Sequence, residues 1–290
     1  MTILIHENPP KLKNTIFVAA WAGWPDAARV ATRAVREIIT QTGAKKFASI
    51  DPEEFYDFSQ NRPTVKNGTN GKREIKWPAN DFYYVKTNND LRDLVLFIGV
   101  EPNCKWKTYV ELIFETANSV NTELFLTLGA LLDSVPHTRA PRVTGNTTSS
   151  DLSDLFGVNY GLPSYEGPSG LTSVLGSKFD EANIMCASIW GHAPHYLQIA
   201  HNPTLTHAVL SELKQFIKVE LDLQQLEGES DEFRSNLERA LEDQKEIEGY
   251  VRKLEERFDS EEKFKGTPEP AELVKDLEDF LKQQRESGGL

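Results

Sequence analysis

The chain has 290 residues, of which 39% are hydrophobic and 26% are charged, a composition that excludes a fibrous or wholly disordered protein. Its formal net charge of −12 argues against a general nucleic-acid binder, because binding phosphates requires a basic surface. The acidity is concentrated at one end. Residues 221–290 carry 21 acidic and 11 basic side chains, a net of −10, whereas residues 1–220 carry 23 and 21, a net of −2.

The cysteines and the apolar runs indicate where the protein resides. Cys104 and Cys186 are far apart and form no C-x-x-C pair, which excludes a disulfide framework and a cysteine zinc site and favours a reducing compartment. The first ten residues have no basic flank before an apolar stretch, and no run approaches the ~18 apolar residues of a membrane span. We therefore expect a cytoplasmic protein without a membrane segment.

Residues 1–220 alternate short apolar runs with longer amphipathic stretches, which is typical of an α/β domain with a doubly wound, mostly parallel sheet. Residues 15–21 predict a buried first strand. Between residues 51 and 85, weak alternation around two Asn-Gly pairs predicts an inserted antiparallel hairpin. The other predicted elements are strands at 46–50, 94–98, 123–128 and 183–190, and helices at 27–40, 105–119, from about 168, and at 207–216.

Residues 221–290 predict an acidic helical arm, separate from the α/β core domain at 1–220. No proline occurs from 204 to 267, and apolar side chains recur every seven residues from Leu226 to Leu254, with a companion set that ends at Phe258. This spacing predicts one helix with an apolar seam over about five heptads. Two prolines within 266–270 predict a break and then a second, shorter helix at 273–281. We expect this helical hairpin to pack on its own domain or on a neighbouring subunit.

Ligands of doubly wound sheets bind where loops leave the carboxyl ends of the strands, so the candidate site residues come from these loops. After the first predicted strand, Gly23 permits a tight turn, Trp24 follows it, and Asp26 suits the first turn of a helix. A dinucleotide site would use this loop together with Asp51. The loop lacks the G-x-G-x-x-G motif, however, and the negative charge of Asp26 would repel a phosphate group bound there. The chain also lacks a P-loop and a G-x-S-x-G elbow.

His137 and Arg139 follow the strand predicted at 123–128. Together they form a candidate anion site, because a guanidinium group binds anions well. Equally, Arg139 could pair with Asp133 or Glu101 and simply hold two loops together.

Four of the six histidines lie late in the chain: His192, His195, His201 and His207. Pro194 predicts that His192 precedes a helix that His195 begins, and no H-E-x-x-H accompanies them. These features favour capping and hydrogen bonding over zinc binding. We expect no metal ion and no cofactor.

Aromatic residues form the last group of loop residues. Several of them at one edge would suit a protein interface, where aromatic residues and arginine supply most of the binding energy. They are Trp24, Tyr56, Trp77, Trp106, Tyr165, Trp190 and Tyr196.

Short motifs recur through roughly residues 1–225. They are Gly23-Trp24-x-Asp26-Ala27, Asp51-Pro52-Glu53-x-x-Tyr56-Asp57-Phe58, Pro63-x-Val65, Trp77-Pro78, Gly99-x-Glu101-Pro102, Trp106, His137-Thr138-Arg139-x-Pro141, Tyr165-x-Gly167-Pro168-x-Gly170, Ala193-Pro194-His195-Tyr196 and Asn202-Pro203. Taken together, this set resembles the proteasome assembly chaperone 2 family, in particular its bacterial, actinobacterial-like branch. The acidic tail resembles the extension common in the bacterial members.

The resemblance implies a nucleoside-phosphorylase-like α/β fold and, by analogy with eukaryotic members, a role in assembling the outer rings of the proteasome. We expect a non-enzymatic binding protein that associates with copies of itself, as a trimer in preference to a dimer, and with proteasome subunits. Residues 288–290 depart from the hydrophobic–tyrosine–any motif of eukaryotic members, so docking through the C-terminus is not expected. The expected binding loops contain Gly23, Trp24, Asp26, Asp51, Glu101, His137, Arg139, Tyr165, Gly167, His195 and Tyr196.

The alternative hypothesis is a phosphorylase- or hydrolase-like enzyme, or a small-molecule sensor, that uses the same loops. In that case Arg139 and His137 would hold an anion, and Glu101 or Asp26 would act as acid or base.

Overall fold

The computed structural model describes residues 3–8, 11–68, 72–87, 92–147, 152, 166–242 and 244–264. The strands in these residues are β1 (Ile3–Ile5), β2 (Thr15–Ala22), β3 (Lys45–Ile50), β4 (Thr64–Asn67), β5 (Arg73–Lys76), β6 (Asp81–Val85), β7 (Leu94–Val100), β8 (Thr122–Asp133), β9 (Val143–Thr147) and β10 (Met185–Pro194). The helices are α1 (Val30–Thr42), α2 (Trp106–Ser119), α3 (Leu171–Glu181), α4 (Pro203–Ile217), α5 (Gln224–Leu241) and α6 (Lys245–Phe264).

Eight of the strands form one sheet in the order β1-β3-β6-β7-β2-β8-β10-β9. The four central strands β7, β2, β8 and β10 are parallel to one another. β3 points the same way, whereas β1, β6 and β9 run against their neighbours. The predicted α/β class with a mostly parallel sheet is confirmed.

Helices cover both faces of this sheet, and the side chains of β2 pack against helices on each face. Ile16, Val18 and Ala20 belong to the cluster that packs against α1 and α4. The intervening Phe17 and Trp21 belong to a second cluster, which includes residues of α2 and α3. Because β2 is buried on both faces, it is apolar at nearly every position, and this is why its sequence predicts it so clearly.

Two helices illustrate how local sequence sets their ends. α4 begins earlier than predicted, because Asn202 Oδ1 accepts a hydrogen bond from the Leu205 amide at 2.9 Å and Pro203 occupies the first turn. α1 ends at Gly43, whose φ of 63° lies in the left-handed region that favours glycine, and the Gly43 amide bonds back to the helix.

The predicted hairpin between residues 51 and 85 is present as β4 and β5, which pair in antiparallel register. The structure adds three strands that were not predicted: β1, β6 and β9. β6 lies between β3 and β7 in the sheet. Its short aromatic sequence, Asp-Phe-Tyr-Tyr-Val, follows the hairpin directly and cannot be distinguished from it by alternation alone.

The prediction that a helix begins at His195 is wrong. His192 lies within β10, and His195 lies in the turn after it. β10 continues through Pro194 because its last residues pair with β8, where Pro194 lies opposite Asp133. Pairing with the longer β8 therefore determines where this strand ends.

The prediction of one continuous helix from Leu226 to Phe258 is also wrong. α5 ends at Leu241 and α6 begins at Lys245, and the Gln244 amide donates to the carbonyl of Leu241 in the turn between them. With this break, residues of both helices pack around Tyr196 and Leu197. Tertiary packing thus overrides the helix propensity of the sequence. The helix predicted at 273–281 lies outside the described residues.

Within the described part of the chain, no helix combines the length and the apolar character needed to cross a membrane.

Candidate binding face at the carboxyl ends of the strands

The parallel strands β7, β2, β8 and β10 end at one edge of the sheet, and we call the surface formed by the loops that follow them the strand-end face. Most of the candidate residues chosen from the sequence lie in these loops. The structure divides them into two groups, one open to solvent and one covered by α6. Tyr165 lies outside the described residues, and Gly167 lies in the exposed segment that leads into α3.

The open half of the face is built around Gly23, Trp24 and Glu101. Gly23 has a φ of 122°, and a Cβ atom there would lie 3.3 Å from Cβ of Glu101. Glu101 is held at both ends: its amide donates to the Ala22 carbonyl at 2.8 Å, and its Oε1 accepts from the Leu171 amide at 3.0 Å. A carboxylate in this position favours the N-terminus of α3. The loop after β2 is therefore tied to the start of α3.

The Trp24 side chain packs against the start of α3. A Cβ atom at Gly170 would lie 3.3 Å from the Trp24 ring, so the ring packs directly over that glycine. Even so, 72% of Trp24 is exposed. A large aromatic side chain with a fixed base and an exposed face is the type of residue that anchors protein interfaces.

Beneath the open half lies a buried polar network that the sequence did not reveal. Asn80 Oδ1 accepts from the Tyr109 hydroxyl at 2.7 Å and from the Val100 amide at 3.2 Å, and the Tyr56 hydroxyl lies 2.7 Å away. Trp21 donates to the Tyr109 hydroxyl at 3.1 Å. Burial raises the pKa of both tyrosines, so their hydroxyls remain donors at neutral pH. These residues are scattered along the sequence, and no local pattern joins them.

Asp26 and Asp51 stabilise local backbone. Asp26 is buried and its Oδ1 accepts from the amides of Ala31 and Thr32 at 2.8 and 3.2 Å, at the start of α1. Burial raises the pKa of Asp26 above its ordinary value, against the effect of these hydrogen bonds. Asp51 Oδ1 accepts from the Glu53 amide at 3.0 Å and closes its own turn. Both carboxylates therefore serve as caps.

The covered half contains Arg139, and α6 supplies the anions that it binds. Its Nε and Nη2 each lie 2.8 Å from the Asp259 carboxylate, and its Nη1 lies 3.0 Å from Glu255. The hydrogen bonds to Asp259 raise the pKa of the guanidinium group further above its ordinary value. Pairing of Arg139 with Asp133 or Glu101 was one of two alternatives from the sequence; in the structure its partners are instead carboxylates of α6, from 116 and 120 residues away.

α6 packs on a set of aromatic rings, those of His137, His195 and Tyr196. The Tyr196 hydroxyl accepts from the His137 amide at 2.9 Å and lies 2.6 Å from Nδ1 of the same histidine. His195 Nδ1 donates to the Asp133 carbonyl at 2.9 Å, and Tyr250 of α6 bonds to its Nε2 at 3.0 Å. The Tyr196 and Tyr250 rings meet edge to face with centroids 5.9 Å apart. The helix is thus held by both ring contacts and ion pairs.

A chain of hydrogen bonds at the edge of the covered half was also not predicted. Asp133 Oδ2 lies 2.7 Å from His192 Nδ1, and His192 Nε2 lies 2.8 Å from Thr144 Oγ1. Burial opposes ionisation of Asp133, but the hydrogen bond and charge of His192 outweigh it and lower the pKa of Asp133. This chain joins the ends of β8 and β10 to β9. In the described residues no group of three or more His, Cys, Asp or Glu side chains is arranged to hold a metal ion.

We expect the docking of α6 to depend on pH through His137. Burial lowers the pKa of His137 below its ordinary value of 6.5, against the opposing attraction of Glu255 and Glu238. A lowered pKa means that the undocked loop binds the proton more readily, so docking weakens as pH falls below about 6.5 and is favoured above it. Base-catalysed hydrogen exchange slows as pH falls, and we expect exchange in α6 to slow less between about pH 7.5 and pH 5.5 than this chemistry alone predicts.

The control for this pH effect is His137→Gln, which keeps a polar side chain but cannot titrate. Its exchange in α6, corrected for intrinsic chemistry, should be nearly independent of pH over the same interval. An unchanged pH dependence in this variant would assign the effect to other groups.

Comparison with known proteins identifies the family. The model of the PAC2 family matches residues 20–241, about three quarters of the chain. The chain belongs to the PAC2 family. The resemblance seen in the sequence is therefore confirmed. No curated protein sequence matches the chain significantly.

Comparison with solved structures gives further relatives. A PAC2 family protein from Streptomyces avermitilis is 33% identical, with a TM-score of 0.74 over 82% of this chain and 99% of that chain. A Mycobacterium tuberculosis proteasome-assembly chaperone homologue is 32% identical, with a TM-score of 0.72 over 81% of this chain and 99% of that chain. Pyrococcus furiosus PbaB, an archaeal proteasome activator, is 22% identical and shares the fold, with a TM-score of 0.64 over 82% of this chain and 98% of that chain.

The PAC2 match ends at Leu241, the last residue of α5. α6 lies beyond it, although this helix supplies both carboxylates that bind Arg139. The open half of the strand-end face, by contrast, belongs wholly to the matched PAC2 region.

Proposed function

We propose that the protein is a non-enzymatic, cytoplasmic assembly chaperone that binds proteasome subunits through the open half of the strand-end face and associates with further copies of itself, as a trimer in preference to a dimer. Trp24 carries this proposal, because it is 72% exposed and yet held over Gly170 by its surroundings. Family membership and the likeness to a proteasome-assembly chaperone homologue support the choice of partner.

The environment of the candidate acid and base groups favours binding over catalysis. Asp26 and Glu101 accept hydrogen bonds from backbone amides at the starts of helices. Arg139 is bound to two carboxylates of its own chain. These side chains hold the loops in place, which supports a rigid docking surface for a macromolecule.

The test is recovery of proteasome α subunits on the tagged protein from a lysate of the source organism. Trp24→Ala should reduce this recovery at least about 10-fold, since truncating an interface anchor costs on the order of 2 kcal/mol or more. Ile5→Ala is the matched control, because Ile5 is also an exposed apolar residue, at 67%, but lies in β1 at the far edge of the sheet.

Proteasome yield in a deletion strain completes the test. When this protein is deleted, we expect fewer assembled proteasomes. The wild-type chain and Ile5→Ala should restore the yield, whereas Trp24→Ala should not. Unchanged assembly together with no recovery of α subunits would eliminate the chaperone role.

A further inference from the structure

The hairpin formed by β4 and β5 stands apart from the large sheet. Every residue of both strands is exposed, and in the described residues the two strands form a separate two-stranded sheet. A hairpin of this kind is marginally stable in water unless its surface packs against something else. Its base is anchored, because the Trp77 ring lies 4.8 Å from that of Phe58, centroid to centroid. The rest of its surface is left to solvent.

One face of this hairpin is apolar at its centre. Val65 and Ile75 lie directly opposite each other in the register, with exposed fractions of 57% and 59%. Side chains alternate between the faces of a strand, so Arg73 shares this face with them. An exposed apolar centre with a polar rim is typical of an interaction surface.

The charge of the hairpin is opposite to that of the chain. Residues 62–77 carry five basic side chains and one acidic side chain, a net of +4, whereas the whole chain carries −12. Clustered positive charge on an acidic protein favours an acidic partner surface and disfavours a basic one.

The chain itself offers an acidic groove of about 820 Å³ between the C-terminal end of α1 and the segment that leads into α5. Leu221 and Leu226 line its base, but both are buried in the core of the chain. Its carboxylates are Glu37, Glu220, Asp222 and Glu229, of which Glu37 and Glu229 form ion pairs with Arg33, and Lys214 also lines the groove. The groove therefore has the reverse charge of the hairpin.

The groove and the hairpin of one copy lie at opposite edges of the sheet. α1 connects the carboxyl end of β2 to the start of β3, so its C-terminal end lies at the amino edge. The hairpin follows the carboxyl end of β3. The two surfaces therefore can meet only between copies.

We propose that the β4–β5 hairpin of one copy docks into the acidic groove of a second copy, an inference that rests on the self-association part of the proposed function. Such a contact joins two different surfaces, so repeated copies form a closed ring or an open chain. The basic side chains of the hairpin meet the carboxylates of the groove, and the contact covers the exposed Val65 and Ile75.

Charge reversal on each surface tests the contact, with mass measured by light scattering at micromolar concentration. The hairpin variant is Arg73→Glu with Lys76→Glu, and the groove variant is Glu220→Lys with Gln225→Lys; all four side chains are exposed. Each variant alone should associate at least about 100-fold more weakly than the wild type, because the substituted surface then has no net charge to attract the other surface and its new charges repel the nearest groups there. Lys107→Glu, an exposed position on α2 outside both surfaces, should retain the wild-type mass.

Mixing the two variants provides the decisive measurement. The unchanged hairpin of the groove variant then meets the unchanged groove of the hairpin variant, so we expect assemblies that contain both. A monomeric wild type, a hairpin variant of wild-type mass, or a mixture that stays monomeric would each overturn the inference. If a monomeric chain still recovers proteasome α subunits, this contact fails while the chaperone role stands; if the assemblies form without that recovery, the reverse holds.

Discussion

Replacing Tyr196 with alanine is expected to destabilise the docked arrangement of α6 by about 3–5 kcal/mol, the usual cost of removing a large buried ring. Tyr196 is only 8% exposed and its ring meets those of His137, His195 and Tyr250 at centroid distances of 5.7–5.9 Å. It lies in one cluster with Val251 and Leu254. Urea unfolding, together with hydrogen exchange in α6, measures the loss.

Tyr196→Phe is the matched control, since it keeps the ring and removes only the hydroxyl that contacts His137 at 2.9 and 2.6 Å. We expect it to cost about 1–2 kcal/mol, as for a buried hydrogen bond whose partner is left unsatisfied. In the alanine variant α6 should lose protection while β2 keeps it. A loss below about 1 kcal/mol in the alanine variant would show that α6 is not held through this ring.

Asn80→Ala should lower the free energy of unfolding by about 3–5 kcal/mol, because it leaves several buried donors beneath the open half without their acceptor. Asn80 is fully buried, and its Oδ1 serves the Tyr109 hydroxyl and the Val100 amide. Val100 directly precedes Glu101, so the support beneath Trp24 should loosen as well. Urea unfolding measures the stability, and tryptophan fluorescence reports on the aromatic side chains of this region.

Tyr56→Phe tests the same network with a smaller expected loss of stability. The Tyr56 hydroxyl lies 2.7 Å from Asn80 Oδ1 and 2.6 Å from the Val100 carbonyl, but Asn80 keeps its other donors without it. The expected loss is about 1 kcal/mol. Equal losses in the two variants would contradict the central position of Asn80.

The sequence predicts those elements whose burial is visible in their own residues. β2 is apolar on both faces, and α1 buries Val30, Ala34 and Ile38 at helical spacing. β6 and the break after Leu241 were not predicted, because they depend on packing against distant segments. Strand pairing and helix docking are determined by tertiary contacts that a local pattern does not record.

The same distinction applies to the candidate site. Gly23, Trp24 and Glu101 could be selected because loops after parallel strands meet at one edge. The partners of Arg139 could not, since two carboxylates among the 21 acidic residues of the arm look no different from the rest in sequence. The Asn80 network likewise becomes visible only when β6, β7 and α2 are placed together.

Photo-crosslinking from position 24 directly tests whether proteasome α subunits bind the open half of the strand-end face. A photoreactive phenylalanine analogue replaces Trp24 in the full chain, and Ile5 in the control, and each protein is illuminated with purified proteasome α subunits. We expect a covalent adduct with an α subunit from position 24 and none from position 5. No adduct from position 24, or equal adducts from both positions, would contradict binding through the open half of the strand-end face.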